Sequence, residues 1–550
     1  MSTTAASEQN DCLSFGDSLF LNLEREGMPL HVASLSIFEG RISLQDCIRY
    51  VESKLPLIPR YRQHVVAPPM NVGLPSWQYD RGFDIRNHVR EVTLRRGTEA
   101  ELRTVASRIL SSTMDRARPL WDLTLLRGLK GNRTGILTRV HHSMADGLSG
   151  VGLMTVLMDS SPVRPVLPAG KRTPAPTNGQ HPQSVLQCLV DSCFNAVQRV
   201  LTAESQLLNI AQHLVAAAEK EEETAVPVPA LNVPFNSDTP IPSLQDLNRL
   251  LPELLGPTER LPFNIVCRGP QKFACAEIPL AQLKAVKHAC GATLNDVVLA
   301  LMTSAVRRYV QLHGLKIRGR RLRIVVPVSM RAKSEMGELG NHITFIPVTI
   351  PLDIRRLRSV VAAVHENVAL LKSTHVAELV GLAGTLLGAI PAPFQAAIGP
   401  VASQLPLSVC NLICTNVPGP KTPLYLLGHK MLSCYPYVPI GGEMGMNCAI
   451  LTYNGTAYFG FTADVHAVSD VELFPKFLRA SFAELQRETG VDHPARRSHV
   501  LPTQHGSAPE MSPPAPAAKP TTPVIRFPEK VATSPEGDQK HRAIHAAIGA

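Results

Sequence analysis

Hydrophobic and polar positions follow α/β patterns in two long stretches of the chain. In residues 12–165, short apolar runs and turn signals alternate with helical patterns, which predicts a first mixed α/β domain. Residues 259–490 show the same alternation, with strand-like runs at 323–330, 343–350 and 408–414. Within 446–464, two further strand patterns flank Asn454-Gly455, a pair that suits the type I′ turn of a β-hairpin. We therefore predict two α/β domains of similar size, each with a mixed sheet flanked by helices.

The segments between and after these domains have different compositions. Residues 166–258 begin Pro-rich, and apolar residues at helical spacing over 184–218 predict one or two amphipathic helices in a long connection. Residues 491–550 are rich in Pro, Ala, Ser and charged residues, a composition that buries little apolar surface. This last segment is therefore predicted to be a disordered tail.

Truncation of the chain near residue 490 is expected to leave its biochemical activity intact, because such a tail contributes little to a packed core. Limited proteolysis should remove the tail before it cuts the domains, and an assay of the truncated chain tests the rest of the prediction. A truncated protein that stays folded but loses its activity would contradict it.

Composition and charge limit the kinds of ligand and partner that the protein is expected to bind. The 550-residue chain has a net charge of +10, which favours acidic ligands such as anionic lipid surfaces or nucleotide phosphates. Aromatic residues make up only 5% of the chain, and no basic stretch is interleaved with Tyr or Phe, so no nucleic-acid partner is expected.

The 11 cysteines lack CxxC spacing, which predicts free thiols in a reducing compartment. The N-terminal residues do not resemble a signal peptide, and no clean run of about 20 apolar residues offers a membrane span, so a cytoplasmic location is expected.

Two adjacent histidines follow a predicted β-hairpin in the first domain. The strand patterns at 122–129 and 136–140 flank a turn-like segment, and His141 and His142 come directly after the second strand. Because neighbouring strand residues point to opposite faces, these two side chains are expected to diverge. The apolar residues that follow recur at helical spacing, so a helix is predicted to begin near Asp146 or Gly147, where a carboxylate is favourable.

The histidine pair is open to three interpretations. A metal ion needs three or more ligands, which two diverging histidines and a capping aspartate supply poorly, and no HExxH spacing is present, so no metal site is expected. The pair could instead be a structural feature at the end of a strand. In the third interpretation, one imidazole faces a cleft and acts as a general base towards a hydroxyl or a thiol, while Asp146 holds the loop in shape.

The motif HHSMADG (141–147) resembles the HHxxxDG active-site motif of the CoA-dependent acyltransferase superfamily. Seven further blocks, which cover about residues 12–488, resemble the bacterial wax ester synthase/diacylglycerol acyltransferase family and occur in the family's order. The blocks are GDSLFLNLEREGMPLHVASLSIFEG (16–40), PLWDLTLLRGL (119–129), TLNDVVLA (293–300), VPVSMR (326–331), LGNHITFIPV (339–348), TNVPGP (415–420) and YNGTAYFGFTAD (453–464).

This resemblance implies a fold and a set of site residues. The implied fold consists of two chloramphenicol-acetyltransferase-like domains with a tunnel between them. His142 is the implied general base, and the residues that support it are His141, Asp146 and Gly147. Asn295 and Asp296 match the family's Asn-Asp pair, which faces the site from the second domain. Capping of a helix is the alternative role for this pair, since both residue types favour helix N-termini.

The implied reaction is O-acyl transfer from acyl-CoA to the hydroxyl of diacylglycerol, of a long-chain alcohol, or of both. Acyl-CoA is a substrate in this reaction, so no cofactor is expected. Direct transfer without an acyl-enzyme fits the sequence, because no GxSxG-type nucleophile motif occurs near the histidines. Two alternatives remain, namely a condensation-type enzyme that takes acyl groups from carrier proteins and a non-catalytic lipid-droplet protein that kept the fold.

An uncharged apolar segment in the second domain bears on where in the cell such an enzyme works. Residues 379–402 contain no charged side chain, and Pro391 and Pro393 interrupt them. The prolines disfavour a spanning helix, so the segment is expected either to enter one leaflet of a membrane or to cover the second sheet. Because the implied acceptors are insoluble in water, peripheral association with a membrane or lipid-droplet surface is expected.

Overall fold

A computed structural model describes residues 12–68, 74–144, 147–165, 258–329, 343–373 and 410–491. Several features predicted from the sequence lie outside these residues. They are Asp146, the predicted connection apart from its last residue, the apolar segment at 379–402, and the predicted tail beyond residue 491.

The strands of these ranges form two six-stranded mixed sheets and one two-stranded ribbon. The strands are β1 (His31–Glu39), β2 (Gln63–Val66), β3 (Ser76–Tyr79), β4 (Val89–Thr93), β5 (Trp121–Leu129), β6 (Arg133–His141), β7 (Gln271–Pro279), β8 (Arg321–Ser329), β9 (Ile343–Pro351), β10 (Leu412–Pro418), β11 (Tyr425–Leu426), β12 (His429–Tyr437), β13 (Met446–Tyr453) and β14 (Thr456–Asp464). The first sheet has the order β11-β12-β1-β6-β5-β4 and the second the order β7-β14-β13-β10-β8-β9, while β2 and β3 form the ribbon.

Helices cover both sheets. They are α1 (Phe15–Leu23), α2 (Leu44–Lys54), α3 (Glu99–Leu110), α4 (Gly147–Leu157), α5 (Leu280–Cys290), α6 (Leu294–Leu312), α7 (Leu357–Ser373) and α8 (Leu473–Thr489). On the first sheet, α3 packs on one face, and α1, α2 and α4 contribute to a separate apolar cluster. Helices α5 to α8 build the core of the second sheet. No single helix in the described ranges is long and apolar enough to cross a membrane; α5 and α6 meet that test only as a pair, with a bend of 96° between them.

The local elements predicted around the histidines and the second hairpin are confirmed. Strands β5 and β6 pair antiparallel, and α4 begins at Gly147. Strands β13 and β14 form the predicted hairpin, in which Asn454 and Gly455 have φ angles of 43° and 81°. Positive φ at both central residues is the requirement of a type I′ turn. The strand predicted at 408–414 is observed later in the chain, at Leu412–Pro418.

Two strands from the second half of the chain lie in the first sheet. Strand β12 pairs antiparallel with β1, with Ser34 opposite Pro436, and β11 extends the sheet beyond β12. The sequence-based division groups residues 425–437 with 259–490, whereas the structure places these two strands in the first layer. The physical reason is that β1 would otherwise be a sheet edge with unpaired backbone groups, a need that composition along the chain does not reveal.

The two layers touch through backbone atoms at the crossing of β12 and β14. A Cβ atom at Gly460 would lie 1.7 Å from the carbonyl oxygen of Pro436, so only glycine allows this approach. Ser111, the residue after α3, makes a second connection, because its hydroxyl accepts a 2.8 Å hydrogen bond from the backbone N–H of Gln271 in β7. These contacts hold the sheets on either side of a cavity.

Candidate active site

His142 follows the last residue of β6 and lines the cavity between the two sheets. Its ring stacks on Phe20 of α1, with the ring centroids 3.9 Å apart and the ring planes inclined by only 9°. Its backbone N–H donates to the carbonyl oxygen of Leu30 at 2.9 Å. The imidazole is therefore held between a fixed backbone and an aromatic face at the cavity wall.

His141 points the other way, into the protein. Its side chain is fully buried, and its Nδ1 accepts from the backbone N–H of Ser143 at 3.1 Å and lies 2.7 Å from the Ser143 hydroxyl. Its Nε2 is 3.4 Å from Oε1 of Glu24, an ion-pair distance that is long for a hydrogen bond. The predicted divergence of the two histidines is confirmed.

Glu24 is a buried carboxylate at the C-cap of α1, with a side chain only 3% exposed. Oε1 also accepts the backbone N–H of Leu30 at 3.0 Å, and Oε2 pairs with Nη2 of Arg116 at 3.1 Å. Burial by itself would raise the pKa of this carboxyl, but the contact with His141, the Leu30 N–H and the Arg116 charge outweigh burial and lower the pKa to about 2. Glu24 is therefore ionised at neutral pH beside the histidine pair.

The cavity has a volume of about 710 Å³ and a mainly apolar wall. Strands of both sheets line it, for example through Val140 of β6, Val326 of β8 and Ile413 of β10, and α4 adds Leu153. Volumes of about 300–1,000 Å³ with few polar groups are typical of small-molecule sites. Because so few polar side chains reach it, this cavity suits aliphatic chains.

The second sheet's layer contributes Asn295 to the same cavity. Asn295 lies in the first turn of α6, and its Oδ1 accepts a 2.6 Å hydrogen bond from Nδ2 of Asn416, which also lines the cavity. The amide NH₂ group of Asn295 is consequently the part of this side chain that is left to donate. The structure thus brings residues of the TLNDVVLA and TNVPGP blocks together beside His142's cavity.

Asp296, the other member of the predicted pair, does not line the cavity. It is fully buried and forms a capping box, in which its Oδ2 accepts the N–H of Thr293 at 2.8 Å and the Thr293 hydroxyl accepts the N–H of Asp296 at 3.2 Å. Nδ1 of His365 lies 2.7 Å from the same Oδ2. The contacts of Asp296 are therefore those of a helix cap, which was the alternative role considered for the pair. A contribution of Asp296 to catalysis stays a prediction.

Two family models match most of the chain. Residues 13–298 match the wax ester synthase/diacylglycerol acyltransferase catalytic domain, and residues 339–486 match the C-terminal domain of the same family. The chain belongs to the wax ester synthase/diacylglycerol acyltransferase family. The family and the enzyme class predicted from the sequence blocks are confirmed, and the catalytic-domain match includes both the histidine motif and Asn295.

Named relatives agree with this assignment. A probable diacylglycerol O-acyltransferase of Mycobacterium tuberculosis is 27% identical over 464 residues, which cover 83% of this chain and 91% of the relative. A second probable diacylglycerol O-acyltransferase of the same species is 26% identical over 497 residues and matches 88% of this chain and 100% of its own length.

The solved structures confirm the fold class. The wax ester synthase/diacylglycerol acyltransferase of Marinobacter aquaeolei VT8 has a TM-score of 0.57 at 22% identity and covers 87% of this chain and 100% of its own. The first condensation domain of the calcium-dependent antibiotic synthetase has a TM-score of 0.51 at 15% identity, with 86% and 96% covered. At these identities the likeness concerns the fold alone.

For this acyltransferase, the structure also reveals contacts that sequence reasoning missed. Phe20, Glu24 and Asn416 all lie in blocks that carry the family resemblance, but no local spacing marks them as site residues. Each contacts a group that is remote in the chain, so only the folded protein brings the partners together. Gly147 starts α4 as predicted, whereas Asp146 lies outside the described residues.

Cys434 is a cavity-lining residue with a potential nucleophile. Burial raises the pKa of its thiol to about 11, in spite of hydrogen bonding with neighbouring serine hydroxyls. The thiol is therefore protonated at neutral pH and a weak nucleophile. Within the ranges that the structure covers, no cluster of three or more His, Cys, Asp or Glu side chains could hold a metal ion.

Proposed function

We propose that this acyltransferase moves a fatty acyl group from acyl-CoA to the hydroxyl of diacylglycerol, of a long-chain alcohol, or of both, with His142 as the general base. The observation that carries the proposal is the position of His142, whose imidazole lies in the wall of an apolar cavity of about 710 Å³ and is stacked on Phe20. Acyl-CoA is a substrate here, and the reaction needs no further cofactor.

In the proposed reaction, the imidazole of His142 takes the proton of the acceptor hydroxyl while the oxygen attacks the thioester carbon. The tetrahedral intermediate collapses, the C–S bond breaks, and the imidazolium returns the proton to the departing CoA thiolate. The products are the ester and free CoA. The thioester oxygen becomes negative in the tetrahedral intermediate, so a hydrogen-bond donor must face it. The candidate donor is the NH₂ group of Asn295, because the Oδ1 of this side chain is already occupied by Asn416.

Incubation of the purified protein with labelled acyl-CoA and either diacylglycerol or a long-chain alcohol tests the proposal. Lipid chromatography should show triacylglycerol, wax ester or both, together with release of free CoA. A condensation-type enzyme would use carrier-protein donors but not acyl-CoA, and a non-catalytic lipid-droplet protein would give no product with either donor. The proportion of the two esters measures the acceptor preference.

We further propose that the enzyme binds a membrane or lipid-droplet surface peripherally. Its proposed acceptors have a negligible concentration in water, so the acceptor has to reach the cavity from a lipid phase. The uncharged segment at 379–402 can enter an interface, and the net charge of +10 adds attraction to anionic headgroups, on the order of 1 kcal/mol per basic residue near the surface. Charge and apolar contact would then act together.

Introducing two aspartates, as Leu379→Asp and Leu387→Asp, is expected to release the enzyme from anionic vesicles while it still acylates a short, soluble alcohol. High salt should weaken the binding of the unmodified protein without abolishing it, because the apolar contribution is not screened. Vesicle co-sedimentation measures both effects. Leu57→Asp/Leu312→Asp is the matched control, since both leucines are exposed and neither belongs to the segment. Misfolding of the double variant would instead show that the segment covers the second sheet.

A further inference from the structure

The C-terminal end of α1 contacts both members of the histidine pair. Phe20 stacks on the ring of His142, and Glu24, one helical turn later, lies 3.4 Å from Nε2 of His141. The backbone N–H of Glu24 donates to the carbonyl oxygen of Phe20 at 3.2 Å, so the helix fixes the two contacting residues relative to each other. One short helix therefore faces the inward and the cavity-facing imidazole together.

Glu24 is also linked to His142 through the peptide units of Leu30. Oε1 of Glu24 accepts the N–H of Leu30 at 3.0 Å, and the carbonyl oxygen of Leu30 accepts the N–H of His142 at 2.9 Å. The same carboxylate oxygen thus lies beside the imidazole of His141 and, through Leu30, is linked to the backbone of His142. Two routes, one through His141 and one through Leu30, lead from this carboxylate to the cavity wall.

We propose that Glu24 is a positioning residue of the acyl-transfer site, which orients His141 and, through it and through Leu30, holds His142 at the cavity. This inference rests on the proposed role of His142 as the general base. Nδ1 of His141 accepts the N–H of Ser143, so the neutral ring carries its proton on Nε2, the nitrogen that lies 3.4 Å from Oε1 of Glu24. Ser143 fixes the tautomer, and the carboxylate of Glu24 beside Nε2 favours this orientation of the ring.

The burial of this group makes the arrangement sensitive to substitution. The side chains of Glu24 and His141 are 3% and 0% exposed, so water does not replace the carboxylate without a rearrangement. His141, the N–H of Leu30 and the charge of Arg116 together keep the carboxylate ionised. Nη2 of Arg116 lies 3.1 Å from Oε2. Removal of the carboxylate would leave the N–H of Leu30 without its acceptor and the imidazole of His141 without the negative charge beside it.

Steady-state kinetics of the full-length protein test this role. Glu24→Ala is expected to lower kcat by about 10- to 100-fold, the scale for a misplacement of about 1 Å at a reacting group. The KM for acyl-CoA should change by less than about 3-fold, because Glu24 does not line the cavity. Glu24→Gln keeps an oxygen that accepts the N–H of Leu30 and lies beside His141, and it should retain kcat within about 5-fold. If Glu24→Ala does not fold, Glu24→Asp takes its place, since its shorter side chain cannot reach both partners.

A double-mutant cycle separates positioning of His142 from a general loss of structure. In the His142→Ala background, Glu24→Ala should lower the residual rate by less than about 2-fold, because effects that act through one residue are not additive. Glu101→Ala is the matched control: its carboxylate also holds backbone N–H groups, at 95–97, but outside the cavity, and kcat should not change.

Three results would overturn the positioning role. They are a kcat of Glu24→Ala within about 2-fold of the unmodified protein, equal losses of kcat in the Ala and Gln variants, and a full additional loss in the His142→Ala background. Near-normal activity of His142→Ala alone would contradict the proposed function instead. The two ideas can therefore fail separately.

Discussion

Replacement of His142 by alanine is expected to lower kcat for acyl transfer by about 10²-fold or more, the usual scale for the loss of a general base. The hydroxyl of an alcohol is a poor nucleophile until a base takes its proton, and His142 is the imidazole that lines the cavity. Folding should change little, because the side chain is only partly buried and the hydrogen bond from the backbone N–H of His142 to Leu30 survives the substitution. Release of CoA with saturating acceptor measures the rate, and the melting temperature controls for folding.

His141→Ala is the companion variant. Its ring is fully buried against Glu24 and does not line the cavity, so we expect a smaller loss of kcat and a larger loss of stability than for His142→Ala. If His141→Ala lost more kcat than His142→Ala, His141 and not His142 would be the general base. Near-normal rates in both variants would show that the proposed mechanism is incorrect.

Asp122→Ala should cost about 3–5 kcal/mol in free energy of unfolding, the range for removal of one partner of a buried ion pair. Asp122 of β5 and Arg139 of β6 are 7% and 2% exposed and form a two-pronged pair, with Nε–Oδ1 at 3.0 Å and Nη2–Oδ2 at 2.6 Å. Arg139 also donates to the carbonyl oxygens of Ile109 and Ser112 at the end of α3. Loss of the carboxylate would leave a buried guanidinium without its counter-charge beneath this helix.

Urea unfolding followed by tryptophan fluorescence measures the loss of stability in the layer that contains Asp122. The chain has two tryptophans, Trp77 and Trp121, and both are buried in the layer of the first sheet. Arg90→Ala is the matched control, because Arg90 pairs with the same carboxylate from the surface, with a side chain 51% exposed. Such exposed pairs contribute about 0–1 kcal/mol. An Asp122→Ala protein no less stable than Arg90→Ala would show that the buried pair is not a main support of this layer.

The local elements around the site could be predicted because short-range chemistry decides them. A turn-like segment between two strand patterns predicted the β5–β6 hairpin, and the helical spacing after the histidines predicted α4. Asn454-Gly455 predicted a turn that needs two positive φ angles, which these residue types adopt at low cost. Alternation along a strand likewise predicted the divergence of His141 and His142.

The different fates of Asn295 and Asp296 could not be predicted from the motif they share. Both residue types suit the start of a helix, and both lie in the first turn of α6. The capping box of Asp296 with Thr293 is a local contact, but the direction in which the helix packs brings His365 to Asp296 and leaves Asn295 at the cavity beside Asn416. Packing of one helix against a sheet, which no local pattern reports, therefore decides which of the two residues faces the cavity.

The sequence by itself determined the family, the α/β class, the two hairpins and the histidine motif, because each of these depends on neighbouring residues or on blocks in a given order. Only the tertiary structure decided that residues 425–437 complete the first sheet and that Phe20 and Glu24 of α1 face the two histidines. These contacts join residues that are remote in the chain. They form because an unpaired strand edge or a buried charge is stabilised by any suitable partner that the fold brings close. The spacing of residues along the chain does not show which partner that is.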